Sequence, residues 1–204
     1  RCLQARLGLL PPLAPQIGWA QAVRLPRDHY VRLDSNDYSV DPAAVGRKVL
    51  VTAGPTREPL DPVRYLSNRS SGKMGYAVAA AAARAGARVV LVSGPVGLAA
   101  PEGVEQVSVE TAEEMLRAVQ RHAGGADVFV AAAAVADYRP REPSPRKVKR
   151  SAALLNLALE PTPDVLGWVA GLPRRPFLVG FAAETEDLET NARRKLERKG
   201  LDLV

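Results

Sequence analysis

The sequence predicts an α/β fold of three layers, a mostly parallel sheet covered by helices on both faces. Near-continuous apolar runs recur at VLVTA (49–53), ARVVLVSGP (87–95), ADVFVAAAAVADY (126–138) and PFLVGFAA (176–183). A strand that is apolar on both faces belongs in a parallel sheet buried on both sides. Helix-forming segments alternate with these runs, at GYAVAAAAARAG (75–86), TAEEMLRAVQRH (111–122) and LETNARRKLERKG (188–200). Strand–helix–strand alternation is the pattern of parallel sheets with right-handed crossovers. Aromatic residues make up only 5% of the chain while alanine is abundant, which suits small-residue helices lying close on a sheet.

Taken in order, residues 1–48 read differently from the rest. Prolines at 11, 12, 15 and 26 interrupt any long helix. HYVRLDSNDYSV (29–40) alternates apolar and polar residues around Ser35-Asn36-Asp37 and predicts a small β-hairpin, with Asp41-Pro42 starting a turn. Alone, such a segment buries little surface. The division expected is therefore a short β-rich N-terminal extension, 1–48, ahead of an α/β domain, 49–204. The chain opens on an arginine rather than a methionine, so a fragment of a longer protein is expected.

The α/β part is organised around 49–76. After the Val49–Ala53 strand, Gly54-Pro55 leaves regular structure, and the chain stays polar until Gly72-Lys73-Met74-Gly75 opens a helix. A loop this long inside a compact unit is usually functional or disordered. It carries Arg57, Arg64, Asn68, Arg69, Ser70, Ser71 and Lys73, donors that suit an anionic ligand where a strand gives way to a helix N-terminus. A solvated loop with a helix cap is the plainer alternative, and length and donor density together favour the ligand. Two phosphate motifs fail here. A dinucleotide GxGxxG is absent after the first strand. Gly72-Lys73 is followed by Met74 instead of Ser or Thr, with Ser67 where a Walker loop has its first glycine.

Further on, Gly86 predicts a helix stop, and Thr111 an N-cap with Glu113 and Glu114 in the first turn. The strand from 126 is expected to end near Asp137-Tyr138, where open α/β sheets bind ligands beyond the carboxyl ends of their strands. Proline density makes RPREPSPRKVKRS (139–151) a basic loop. It reads as solvated surface, as a nucleic-acid contact lacking the aromatics of a stacking platform, or as a flap over phosphates. LLNLALEPTPDVLGWVAG (154–171) predicts a short strand and a helix beginning near Pro163-Asp164. Lys195 and Lys199 stand four apart on the last helix, hence on one face, and Leu201–Val204 starts one more strand.

Composition excludes several classes. One cysteine, Cys2, rules out an internal disulfide framework, and two isolated histidines, His29 and His122, do not suggest a zinc site. No apolar run reaches the roughly 18 residues of a membrane span, and a cytoplasmic setting is expected. A net charge of +6 fits nucleic acid, anionic metabolites or no charged partner at all.

TAGPTREPLDPVRYLSNRSSGKMGYAVAAAAARAGARVVLVSGPV (52–96) resembles the start of the phosphopantothenate–cysteine ligase (phosphopantothenoylcysteine synthetase) domain, usually the C-terminal half of a bifunctional coenzyme A biosynthesis protein. The family's Lys-x-Lys-Lys motif is matched by Lys147-Val148-Lys149-Arg150, with arginine in the last place, a swap that keeps charge but not geometry. Phe181-Ala182-Ala183-Glu184-Thr185 matches a second signature. The resemblance covers 49–204 and implies a Rossmann-like fold, C-terminally truncated. It implies 4′-phosphopantothenate, L-cysteine and CTP as substrates, Mg²⁺ arriving with CTP, an acyl-cytidylate intermediate and a homodimer. By resemblance, Ala131, Ala132, Ala133 and Asp137 read the cytidine, Pro163, Asp164, Val165 and Leu166 lie against the nucleotide, and Phe181 packs on it. Lys147, Lys195 and Lys199 meet the phosphates. Asn68 holds the acyl-cytidylate, with Arg64 and Ala134 nearby, and no residue is assigned to a protein metal site. Residues 24–47, LPRDHYVRLDSNDYSVDPAAVGR and its flank, resemble the segment after the catalytic core of insertion-sequence transposases. That family's acidic triad would lie upstream, so only DNA affinity of a remnant is implied. Two other readings stay open: a nucleic-acid-binding transposase-derived fragment, and a nucleotide-binding domain without catalysis.

Overall fold

A computed structural model describes residues 43–151, 154–183 and 186–204. The hairpin expected at 29–40 and nearly all of the N-terminal extension lie outside the described residues, as do Glu184 and Thr185 of the second signature.

The elements are β1 (Lys48–Ala53), β2 (Arg57–Pro59), β3 (Tyr65–Ser67), α1 (Lys73–Arg84), β4 (Arg88–Ser93), β5 (Val104–Ser108), α2 (Ala112–His122), β6 (Val128–Ala131), β7 (Tyr138–Pro140), β8 (Leu159–Pro161), α3 (Val165–Ala170), β9 (Phe177–Gly180) and α4 (Leu188–Lys199). Five of them form a parallel sheet in the order β5-β4-β1-β6-β9. This is the expected α/β, Rossmann-like architecture. Strand order reverses at β1, so β1 and β6 diverge at their carboxyl ends and leave a crevice where such folds take ligands.

Alternation along β1 builds the layers. Val49, Val51 and Ala53 pack with Tyr76, Val78, Ala79 and Ala82 of α1 on one face. Leu50 packs with Met115 and Val119 of α2, Val169 of α3 and Ala192 of α4 on the other. α1 lies unusually close to β1 because residue 75 is glycine: a Cβ there would stand 2.5 Å from the Ala53 Cβ. Gly86 closes α1 at φ 94°, as its position predicts. Thr111 caps α2 with the reciprocal Glu114 side chain, a full capping box. A second carboxylate reaches the same helix end. Glu58, 1% exposed, accepts from the Ala112 amide at 2.9 Å, where the helix dipole favours negative charge.

Leu203 sits beside Val179 in a parallel bridge, with Gly180 N donating to its carbonyl, which is the start of the strand expected at 201–204. Gly180 makes room for it, since a Cβ would meet Leu201 Cδ1 at 2.6 Å.

Two expectations need correction. The strand expected to run from 126 to Asp137-Tyr138 stops at Ala131. The next residues leave regular strand but keep β1's register: the Ala132 amide bonds to Thr52 O, the Ala134 amide to Gly54 O, and Ala134 pairs in parallel with Pro55. The long loop after β1 is also not wholly irregular: β2 and β3 form an antiparallel hairpin within it. A second antiparallel pair, β7 with β8, stands beside it, and β2 packs against β7. β8 is the short strand expected within 154–171, while β2, β3 and β7 are three-residue strands with too little pattern for sequence reading to find.

Candidate active site at the carboxyl edge of the sheet

The site begins where two loops cross. Gly54, at φ 73°, turns the chain out of β1, and Gly94 lets the β4 loop pass directly over Pro55. Pro55 then pairs with Ala134. Thr56, fully buried, ties the crossing from both ends: its amide donates to Ala134 O at 3.4 Å and its hydroxyl accepts from Ala136 N at 2.9 Å. Thr52 does the same one turn below, accepting from Ala133 N through its hydroxyl. Asn68 completes the arrangement, its Nδ2 donating to Val135 O at 2.9 Å and Ala134 O at 3.4 Å. Residues 54–68 and 131–136, distant in sequence, thus form one wall, with Asn68 exposed upon it.

The other wall is hung from the same segment. Thr162 N donates to Asp137 O at 3.0 Å, and the Thr162 hydroxyl donates to Ala136 O. This carries Pro163–Leu166 to the edge of β6. Asp164 caps α3 through Gly167 N at 2.9 Å and pairs with the Lys199 ammonium from α4. Burial pushes the Asp164 carboxyl up, but the Lys199 and Gly167 hydrogen bonds and the Lys199 and Arg198 charges outweigh it and hold the group below its ordinary value. Gly167 is glycine for space, since a Cβ would strike the Asp164 carboxylate. Lys195 Nζ donates to Phe181 O at 2.5 Å. Lys195 and Lys199 do face one side of α4, and both reach the 164–181 wall.

The basic segment closes the third side. Arg64 Nη2 donates to Val148 O at 2.5 Å, while Asp61 Oδ2 accepts from Val148 N at 3.1 Å. Lys147, next to that anchor, is exposed and makes no ion pair among the described residues. The Arg64 guanidinium beside Asp61 holds this buried carboxyl far below the usual carboxylate range. The Val63, Val148 and Arg64 amides add to that effect, against the opposing push of burial. A lowered folded-state pKa contributes stability above the unfolded value, about pH 4, and loses it only as pH falls towards the folded one. The Asp61–Arg64 pair is therefore charged throughout the neutral range.

The bonds above join Asn68 to Ala134, Asp137 to Thr162, Asp164 to Lys199 and Phe181 to Lys195. Arg64 is tied instead to Asp61 and Val148, which sets Lys147 beside the turn between β2 and β3. Sequence reading missed Thr52, Thr56, Asp61 and Thr162, which hold the walls together. Their signal was weak: a threonine or aspartate in a turn caps or bonds locally as often as it reaches across a fold. A separate cleft of about 470 Å³, lined by Arg57, Tyr76, Ser93 and Gln106 among others, opens over the ends of β4 and β5, and none of the predicted site residues lines it.

The family model for the DNA/pantothenate metabolism flavoprotein C-terminal domain matches residues 44–204. The chain belongs to that family. Among its relatives, the coenzyme A biosynthesis bifunctional protein CoaBC of Vibrio cholerae serotype O1 is 55% identical over 163 residues, covering 78% of this chain and 41% of that protein. The CoaBC of Escherichia coli K12 is 53% identical over 160 residues, 76% of this chain and 39% of that protein. The chain thus spans about two fifths of the curated relatives it matches. A crystal structure of the C-terminal domain of CoaBC superposes with a TM-score of 0.69 at 44% identity, covering 78% of this chain and 76% of that one. A Cab2 variant in complex with phosphopantothenate-cysteine shares the fold at TM-score 0.63 and 18% identity, covering 76% of this chain and 70% of that one. A second family model, the C-terminal domain of Mu transposase, matches residues 10–57. That match overlaps the flavoprotein C-terminal domain over 44–57, which includes β1 and the Gly54 turn.

Proposed function

We propose that this flavoprotein C-terminal domain is a phosphopantothenate–cysteine ligase acting in coenzyme A biosynthesis. The observation that carries the reading is the Asn68 side chain bonded to Val135 O and Ala134 O. That contact brings the donor-rich loop, on the acyl side, onto the segment assigned to the nucleotide, so one edge can hold both reactants. A carboxylate oxygen of 4′-phosphopantothenate attacks the α-phosphorus of CTP, and the bond to pyrophosphate breaks. The amino group of L-cysteine then attacks the acyl carbon of the acyl-cytidylate. CMP leaves with the bonding pair, and the amine gives up a proton. Neither step requires a protein nucleophile, and the edge offers what the chemistry needs instead: alignment and positive charge.

In this reading Ala131–Ala133, Asp137 and Pro163–Leu166 bed the cytidine, Phe181 packs on it, and Lys147, Lys195 and Lys199 face the phosphates. Among the described residues no group of three or more His, Cys, Asp or Glu side chains could hold a metal ion. In this reading Mg²⁺ arrives with the triphosphate, bound by phosphate oxygens and water, and would neutralise phosphate charge. No helix among the described residues is long and apolar enough to cross a membrane.

The test is pyrophosphate release that requires both Mg·CTP and 4′-phosphopantothenate. CTP binding without release would instead indicate a nucleotide binder, and salt-sensitive DNA binding without turnover a nucleic-acid fragment. Within this assay Asn68→Asp is expected to slow consumption of the acyl-cytidylate by about 100-fold while CTP binding changes little. Equal loss of both would show that the loop does not serve the acyl side alone.

The homodimer belongs to the same proposal. Val63, Tyr65, Tyr138, Leu154, Leu155 and Leu157 are all at least 42% exposed, and they lie on or beside the two antiparallel pairs that project from the sheet. An apolar face of this kind marks an interaction site, and a second copy would cover both short sheets at once. Sedimentation velocity should give a dimer, and Tyr138→Glu should shift it to monomer. A monomer at micromolar wild-type concentration would refute it.

A further inference from the structure

After its first residue, where the Arg141 amide bonds to Ala158 O at 3.0 Å, the basic segment that follows β7 is held by the turn between β2 and β3. Ser144 N donates to Leu60 O at 2.9 Å. Four residues on, Val148 is gripped on both of its backbone groups, its amide by Asp61 and its carbonyl by Arg64. The turn that receives them is itself built on Asp61, whose Oδ1 accepts from the Val63 and Arg64 amides at 2.8 and 2.9 Å. Its Oδ2 holds the Arg64 guanidinium through Nε and Nη2. Asp61 is 4% exposed, yet the strap above it is strongly basic: Arg146, Lys147, Lys149 and Arg150 are all exposed and unpaired among the described residues. Like charges packed into one short strap repel. A strap rich in proline and lysine is costly to order unless something holds its backbone.

We propose that Asp61 is a positioning residue that latches this strap over the site, fixing the backbone on which Lys147 and Lys149 stand and holding Arg64 against Val148. The role of Lys147 in it rests on the ligase reading above; the latch itself does not. A carboxylate suits the task because one oxygen closes the turn while the other receives both the guanidinium and the strap amide, and charge-assisted bonds of this kind are the strong ones. The same turn leads through β3 to Asn68, so strap and acyl-side loop are set by one piece of chain. Lys147 is thereby placed before substrate arrives, and its ordering cost is not charged against each binding event.

The experiment reads the strap directly in the 204-residue chain. In Asp61→Ala, hydrogen exchange at the Val148 amide and tryptic cleavage after Lys149 should each accelerate by about tenfold, the loss of one charged hydrogen bond. Val148→Pro deletes the strap's donor without touching the turn. It should raise cleavage after Lys149 to the same degree, and it decides the matter if Asp61→Ala fails to fold. In pyrophosphate release both variants should lose kcat with a smaller change in KM for CTP, and Asp61→Asn, which keeps an acceptor oxygen, should recover part of the loss. Unchanged cleavage after Lys149 in Val148→Pro overturns the latch. A strap released with kcat intact overturns the positioning role. A wild-type chain that releases no pyrophosphate, yet shows the cleavage differences, removes the ligase reading and leaves the latch standing.

Discussion

Lys147→Gln is expected to lower Mg·CTP-dependent pyrophosphate release by about 100-fold or more, mostly in kcat. Glutamine keeps much of the length and one donor but removes the charge, so the variant isolates electrostatics from shape. The charge matters because the first step builds negative charge on the departing pyrophosphate, and a cation placed beforehand stabilises that change without reorganising. Lys147 meets the requirement in three ways. It is exposed, it has no competing carboxylate among the described residues, and its neighbour Val148 is tied down on both backbone groups. Lys199 contrasts with it, being already paired with Asp164. Its loss would act partly through the cap of α3. Lys147→Arg should recover some of the rate but not all, since a planar fork and a compact ammonium present charge differently. A kcat near that of the wild type in Lys147→Gln would return this residue to the solvated surface.

Gly94→Ala is the substitution expected to cost most in stability. A Cβ at this position would stand 1.7 Å from Pro55 O and 2.8 Å from Pro55 C. The colliding atoms belong to backbone, so no rotamer change relieves them. Either the Gly54–Pro55 turn or the end of β4 must move. Overpacking of this kind costs about 3 kcal/mol, which for a domain of this size lowers the melting temperature by roughly 6–12 °C. The displacement would also reach the site, because Pro55 pairs with Ala134 and Thr56 holds Ala136. Activity should therefore fall even below the melting transition. Gly97→Ala provides the control, as nothing lies within 4 Å of its added methyl, and it should melt within about 1 °C of wild type. Equal melting temperatures for the two variants would mean that the crossing is not tight in solution.

Much of the fold was legible because its signals are local and periodic. The four long apolar runs announce buried strands, and the alanine-rich 75–86 segment and the Thr111 N-cap with its acidic first turn announce helices through spacing and caps that need no partner. Of the two short antiparallel pairs only β8 was legible, as the short strand expected within 154–171; β2, β3 and β7 were not, since three residues show no period. The early end of β6 was hidden for a related reason: VFVAAAAVA stays apolar past Ala131. Past Ala131 the segment stays beside β1 in the same register, through the bonds to Thr52 O and Gly54 O and the Pro55–Ala134 bridge, without continuous strand geometry.

The candidate site divides in the same way. Residue type and loop position picked out Arg64 and Asn68 as donors and Lys147 as part of a basic loop, whereas the roles given to Asn68, Lys147, Phe181 and the lysines of α4 came from the family resemblance. Asp61 and Glu58 were read only as part of the long polar loop after the first strand. Their burial, and the amides of Val148 and Ala112 that they receive, depend on chain segments 87 and 54 residues away. By itself, then, the sequence determined an α/β domain with a donor-rich edge and the family to which it belongs. Tertiary structure decided which donors meet, which are consumed in holding the walls, and which, like Lys147, remain available. Periodicity and propensity act between near neighbours along the chain, whereas a hydrogen bond across a crossing exists only once distant segments have been brought within about 3 Å of each other.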